Sequence, residues 1–288
     1  TASDNTAVGK GALQANTTGT RNIAIGSLAY DASDTENDNI AIGYAAMTTN
    51  TAGGTKNIAL GNYALDALTS GDSNIGIGYN ALTANTTGIK NSAVGENTLA
   101  TNTTGSGNVS VGHNALYSNT TANDNVALGK DSLYTNTTGA NNTAVGKDAM
   151  YNNTASDNTA VGKGALQANT TGASNVAIGK SALVANTTGA ESVAVGYHAL
   201  LDNTTGSANV AIGRQALANN TTGTQNVSVG FNLYTNTTGD FNTAVGFRSL
   251  YLNATTDSNT AIGHEALYNN IAAGNTAVGK DALNANTT

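Results

Sequence analysis

The residues whose types could carry chemistry are few in this chain, and their spacing is poor for it. Histidine occurs three times, at His113, His198 and His264. If the chain stacks as the repeats described below, these lie five and four repeats apart, roughly 20 Å or more, so they cannot share a metal ion or an acid–base site. Gly179-Lys180-Ser181 has the ending of a phosphate-binding loop, but that loop needs glycine at position 174, where Ser174 stands. Asp31, Asp34, Glu36 and Asp38 form the one dense acidic run. Their oxygens suit a hard cation, but a solvated irregular loop is the favoured reading. Tyr117, Tyr134 and Tyr151, with Tyr251 and Tyr268 later, recur at one place in the repeat. Ring stacking explains them, with a carbohydrate-binding stripe as the functional alternative. No paired acids recur in matching places of neighbouring repeats, so cleavage of polysaccharide by two carboxylates has no candidates. The sequence names no catalytic residue, no cofactor and no metal site.

The elements that would have to position such residues are set by an unusually narrow alphabet. Of 288 residues, 10% are charged and 5% aromatic, with 34 Gly and no Pro, Trp or Cys. Disorder needs low hydrophobicity with high net charge, whereas this chain is 39% hydrophobic with a net charge of −7. Eleven Lys plus Arg and a pI near 4.7 leave no basic patch for phosphate backbones, which excludes nucleic acid as a partner. Without cysteine there are no disulfides or thiolate metal sites. No apolar run approaches the roughly 20 residues of a membrane span.

A fixed period then decides the architecture. The phrase Asn-x-Ala-aliphatic-Gly marks seventeen repeats, with Gly76, Ser110 and Ser228 replacing its Ala and Ser192 its Asn, and with its glycine at Gly9, Gly26, Gly43, Gly61 and onward to Gly279, mostly 17 residues apart. The full unit reads N-[TVI]-A-[VI]-G-x-x-A-L-x-x-N-T-T-G-x-x, and Thr1 to Gly19 returns unchanged as Thr154 to Gly172. The residue before each glycine is aliphatic and the one two earlier is β-branched in all but one repeat. Period-two alternation puts these on one face of a strand, which predicts Val8, Ile25 and their equivalents in the interior. The small residue between them then faces outward. This column, Ala7, Ala24, Ala41, Ala59, Ala93, Ala127, Ala144, Ala160, Ala177, Ala194, Ala211, Ala244, Ala261 and Ala277, is predicted to meet another chain. Ala-Leu four residues after the glycine reads as a second short strand.

Asparagine stands four residues before the glycine at Asn5, Asn22, Asn39, Asn57, Asn74, Asn91, Asn108, Asn125, Asn142, Asn158, Asn175, Asn209, Asn226, Asn242, Asn259 and Asn275, with Ser192 as the exception. Stacked carboxamides can hydrogen-bond from repeat to repeat, so this column is predicted to form a ladder. The N-T-T-G phrase supplies turn residues tolerant of positive φ. It also matches the N-glycosylation acceptor pattern, but turn chemistry explains its density better. A helical reading of G-x-x-A-L-x-x-N fails because Asn, Thr and Gly punctuate every unit before the roughly 10 residues a helix needs. The predicted fold is therefore all-β, one continuous β-solenoid over residues 1–288. It has seventeen coils of about seventeen residues, two short strands per coil, and a length of roughly 80 Å.

The N-x-A-[VI]-G phrase resembles the head repeats of trimeric autotransporter adhesins, the YadA-like family, and repeats of phage tail-fibre and related bacterial fibre proteins. That resemblance covers the whole chain. It implies a left-handed parallel β-roll whose strand aliphatics fill the coil while the small residue faces neighbouring chains of a trimer. The N-T-T-G turn makes the coil longer than the usual head repeat.

The function expected is that of a non-catalytic structural or adhesive fibre segment, extracellular, at a cell surface or on a virion. Its expected partners are copies of itself, in a lateral trimer or a head-to-tail filament, with an unnamed cell-surface or carbohydrate receptor. Ice binding through threonine ranks is the alternative. Five coils from Asn169 to Gly239 keep N-T-T-G intact, while the rank breaks at Thr35, Asn50, Leu68, Asn152 and Asn269. Both ends stand in repeat phase, which reads as an excerpt of a longer repeat chain or as a subunit that stacks end to end.

Overall fold

A coil that closes in about seventeen residues needs sharp bends, and where the bends fall decides which side chains are enclosed. The computed structural model describes residues 2–50 and 53–287, and among these there is no helix. The chain forms a β-solenoid of three-residue parallel strands, one per coil. Two compact units divide it, Thr1–Asn142 and Thr143–Thr288. The first holds eight strands, from β1 (Thr6–Val8) to β8 (Val126–Leu128), and the second holds nine, from β9 (Thr143–Val145) to β17 (Thr276–Val278). Within each unit neighbouring strands pair in register, column on column: Ile23 with Ile40, Ala24 with Ala41, Ile25 with Ile42.

The expected second strand does not form. Its place is a turn in which the leucine takes a left-handed backbone, as at Leu65 (φ 52) and Leu82 (φ 54). Two further positions per coil are left-handed. One is the second residue after the strand glycine, such as Asn80, Asn97 and Asp131; the other is the residue before the ladder asparagine, such as Asp38 and Lys90. Asn and Asp tolerate this region, whereas in leucine it costs about 1–2 kcal/mol. Leu65, Leu82 and the other leucines of the column between the terminal coils are fully buried, and enclosing one stabilises by about 1.5–3 kcal/mol, enough to hold the strained backbone. Coil-to-coil hydrogen bonds continue through these bends: Leu65 N–H donates to Ala81 C=O at 3.0 Å and Thr86 N–H to Thr103 C=O at 2.9 Å.

The inside and outside of the strand are the reverse of the sequence expectation. Ala24 is 0% exposed and its neighbour Ile25 is 38% exposed, and this pattern recurs from strand to strand. The cause is the size of the interior. Leucine enters from the facing bend, and two rows of asparagine enter from the turns, which leaves room at the strand for a methyl group. At Gly76 even an added Cβ would stand 3.2 Å from Ala81 C=O and 3.3 Å from Leu65 Cγ. A valine or isoleucine cannot point inward, so the aliphatics take the outer face.

Candidate functional site

The outer face of the strand sheet is the most distinctive surface. Two residues per strand point out of it. In the second unit Ile178, Ile212 and Ile262 are exposed, with Val195 and Val245 half-buried between them; in the first, Ile25, Leu60, Val94 and Val111 are exposed. Nine strands at about 4.8 Å spacing make this stripe about 40 Å long in the second unit, which is large for an apolar patch on an isolated protein. On the first residue after the glycine it is flanked by larger side chains, including Tyr44, Tyr79 and Tyr197.

The alanine column cannot meet another chain. Ala24, Ala41, Ala59, Ala93, Ala127, Ala144, Ala160, Ala177, Ala194, Ala211, Ala244 and Ala261 are wholly enclosed, and Ala277 nearly so. Ala7, in the first strand, is exposed. The surface to be matched by a neighbour is the two residues that flank each alanine, an aliphatic before the glycine and Val, Ile, Thr or Ser at the other place.

The ladder asparagines lie inside as well. Asn22 N–H donates to Asn5 Oδ1 at 2.8 Å and Asn39 N–H to Asn22 Oδ1 at 2.9 Å, while Asn22 Nδ2 donates to Glu36 C=O at 2.7 Å. Where serine interrupts the column, Asn209 N–H donates to Ser192 Oγ at 3.2 Å. With their amides so engaged, these residues offer no ligand-binding row. A second ladder escaped the sequence reading, which had assigned the N-T-T-G asparagine to turn chemistry alone. Asn119 Nδ2 donates to Asn102 Oδ1 at 2.7 Å and Asn186 Nδ2 to Asn169 Oδ1 at 2.7 Å, and all four side chains are fully buried. The return of that asparagine in all coils but two, where Ser33 and Leu68 stand, was the available signal.

The threonine ranks are partly committed. The first hydroxyl of each pair donates to the next coil's backbone, as in Thr86 to Thr103 C=O, Thr187 to Thr204 C=O and Thr204 to Thr221 C=O, each at 3.0 Å. The second threonines, Thr188, Thr205 and Thr222, face solvent. The tyrosines stack, Tyr117 on Tyr134 at 5.3 Å and Tyr251 on Tyr268 at 5.5 Å. Tyr234 joins the second stack 5.5 Å from Tyr251, although a one-residue deletion displaces it in the sequence.

The acidic run does not converge on a cation. Glu36 is 2% exposed, and its carboxylate accepts the Ser33 hydroxyl at 3.1 Å and the N–H groups of Asp34, Thr35 and Gly53 at 3.0, 3.0 and 3.1 Å. It closes an irregular loop from inside. Asp38 forms a two-pronged pair with Arg21, at 2.6 and 2.8 Å; their mutual hydrogen bond lowers the titration of the carboxylate and raises that of the guanidinium. Asp31 lies on the loop and is half-buried. His113 and His264 each sit beside an aspartate of the next coil, at 3.9 Å from Asp131 and 3.8 Å from Asp281. His264, Glu265 and Asp281 bring one donor atom each within 4.8 Å, a grouping that a search for several histidines could not detect. Arg248 and Lys280 already lie beside its two carboxylates, at 3.6 and 3.7 Å.

No protein-family model matches the chain, and no curated protein is similar to it.

Proposed function

We propose that this chain is a non-catalytic fibre segment of an extracellular or surface structure, and that its outer sheet face packs laterally against further copies of itself. The observation that carries this reading is the outward aliphatic residue before the glycine of every strand, repeated in register and joined by a second outward Val or Ile in ten of the seventeen strands and by Thr or Ser in the others. Its partner must present an apolar rank with the same coil spacing, and a second copy of the same repeat does so. A heterologous partner would need an independently matched period. Extended pairing along a 40 Å stripe reaches the size class of specific protein contacts only when many coils engage together, which suits a fibre. The resemblance of the strand phrase to fibre and adhesin head repeats supports the same placement.

Sedimentation velocity of the full chain, with negative-stain microscopy, tests this. Discrete lateral oligomers are expected for the native sequence, and a shift to single chains for Ile178→Lys with Ile212→Lys, with far-ultraviolet circular dichroism unchanged. A native chain that stays monomeric at high micromolar concentration defeats the reading.

A further inference from the structure

The coil that begins at Gly230 is short at a corner where the others are not. Phe231 is followed at once by Asn232 and Leu233, where the usual unit reads x-x-Ala-Leu. Leu233 keeps the interior place of the leucine column, with φ 44 and its N–H donating to Ser249 C=O at 3.0 Å. Asn232 takes the interior place of the alanine and is fully buried. Its amide donates to Val229, Ala244 and Gly246 C=O at 2.8, 2.9 and 3.0 Å, and the Ser228 hydroxyl donates to its Oδ1. The shortened corner is thus internally satisfied and fixed.

What the deletion removes is the second residue after the glycine. That column runs through Gln215 and Arg248 with no member between them. In the adjoining coils the first residue's carbonyl accepts the N–H of this second residue, Tyr197 from Gln215 at 2.9 Å and Phe231 from Arg248 at 2.8 Å. Arg214 C=O has no such donor, because the residue that would carry it is absent. The gap opens an outward hollow of about 310 Å³ lined by Arg214, Gln215, Phe231 and Phe247, within the size range of small-ligand sites.

The lining has two chemistries. The Phe231 and Phe247 rings, 6.0 Å apart and tilted by 34°, form an apolar floor. Phe231 is braced by Tyr234 and Tyr251 at 5.7 and 5.6 Å, and the Arg248 guanidinium lies 5.1 Å from the Phe247 centroid. Arg214 stands in the same column one coil before Phe231, exposed and paired with no carboxylate among the described residues. Its charge is felt nearby: after burial and Lys180, it helps lower the titration of His198.

We propose that this hollow binds a sugar acid, a pyranose bearing a carboxylate. The C–H face of the ring packs on the two phenyl rings. The carboxylate takes the free guanidinium fork of Arg214, a two-pronged pairing that a neutral sugar cannot satisfy. Hydroxyls meet the Gln215 amide and the unpaired Arg214 carbonyl. Free phosphate would use the arginine and leave the aromatic floor bare, and a neutral sugar would do the reverse. The site lies in one corner of the second unit and needs no contribution from another copy.

The test is titration of the full chain with methyl β-D-glucuronide and methyl β-D-glucoside, read by isothermal calorimetry and by saturation-transfer NMR. Saturable glucuronide binding is expected, at least tenfold tighter than glucoside. Arg214→Gln and Phe247→Ala, both exposed and checked for native melting, should each weaken it at least tenfold. Tyr44→Ala, which removes an exposed ring at the same column of a coil of full length, should leave it unchanged. Absence of saturable glucuronide binding, equal binding of the two sugars, or glucuronide binding that survives Arg214→Gln overturns the assignment.

Discussion

The side-chain amide of Asn102 donates to Oδ1 of Asn85 one coil earlier, at 2.9 Å, and both side chains are fully enclosed. Its other hydrogen meets Gly105 C=O at 2.9 Å, and its own Oδ1 accepts from Asn119 at 2.7 Å. One residue therefore joins three coils. Asn102→Ala would leave Asn85 Oδ1 and the Asn119 amide without these partners in a closed interior, at about 1–3 kcal/mol for each group left bare. Thermal unfolding followed by circular dichroism should show a clear loss relative to Thr104→Ala, which alters an exposed side chain of the same turn. Equal midpoints for the two variants would mean that water or relaxation replaces the ladder.

How much of this was legible depends on what each residue reports. The period, the strand before each glycine and the column of Asn5, Asn22 and Asn39 follow from spacing alone, because stacking in register makes every column a physical row, whereas the second strand expected at Ala-Leu is a turn. The direction of the strand was misread because Ala24 and Ile25 were ranked by hydrophobicity, whereas the interior selects by volume once Leu28's coil neighbours Ala29 and Tyr30 and the asparagine rows have filled it. Backbone sign was also hidden: Leu65 and Leu82 are poor candidates for left-handed conformation, and enclosure of their side chains together with the coil-to-coil bonds they make there accounts for it. The short coil at Gly230 was visible as a spacing of 16, but the hollow beside it needed the third dimension.

Gly43 gives the sharpest steric test. Its φ is 141°, and an added Cβ would lie 2.5 Å from Gly61 C=O in the next coil. The obstacle is backbone, so no side chain can rotate out of the way. Gly43→Ala combines an unfavourable φ, about 1–3 kcal/mol, with displacement of the neighbouring coil. Its denaturant midpoint should fall well below that of Gly53→Ala, where nothing lies within 4 Å of the added atom. Similar midpoints would contradict the close stacking of the glycine columns.

The reversal of inside and outside separates two neighbouring residues. Ala177 is wholly enclosed and Ile178 is 41% exposed. Ala177→Leu adds three carbons to a filled interior and should destabilise by about 1–3 kcal/mol or more. Ile178→Thr keeps β-branching on the outer face and should change the stability of an isolated chain by about 0.5 kcal/mol or less. Chemical denaturation at low protein concentration isolates the intramolecular part. The opposite ranking would restore the interior aliphatics of the sequence expectation.

Tyr30 carries the pH dependence. It occupies the leucine place of its coil, is fully buried, and its hydroxyl accepts hydrogen bonds from Asn39 and Asn50. Burial pushes its titration up from 10.0 to about 12, with the Glu36 carboxylate adding to the shift. The neutral phenol is thus favoured in the folded state. Its contribution is complete below pH 10 and is lost as the pH rises from the unfolded value toward 12, because the unfolded chain releases the proton first. A shift of this size corresponds to about 2–3 kcal/mol across that window. Tyr30→Phe has no phenol to ionise, so the slope of its unfolding free energy between pH 10 and 12 should be shallower than that of the native chain, whatever its stability at neutral pH. Urea titrations at half-unit pH steps measure both slopes, and parallel curves would place the Tyr30 hydroxyl in contact with water.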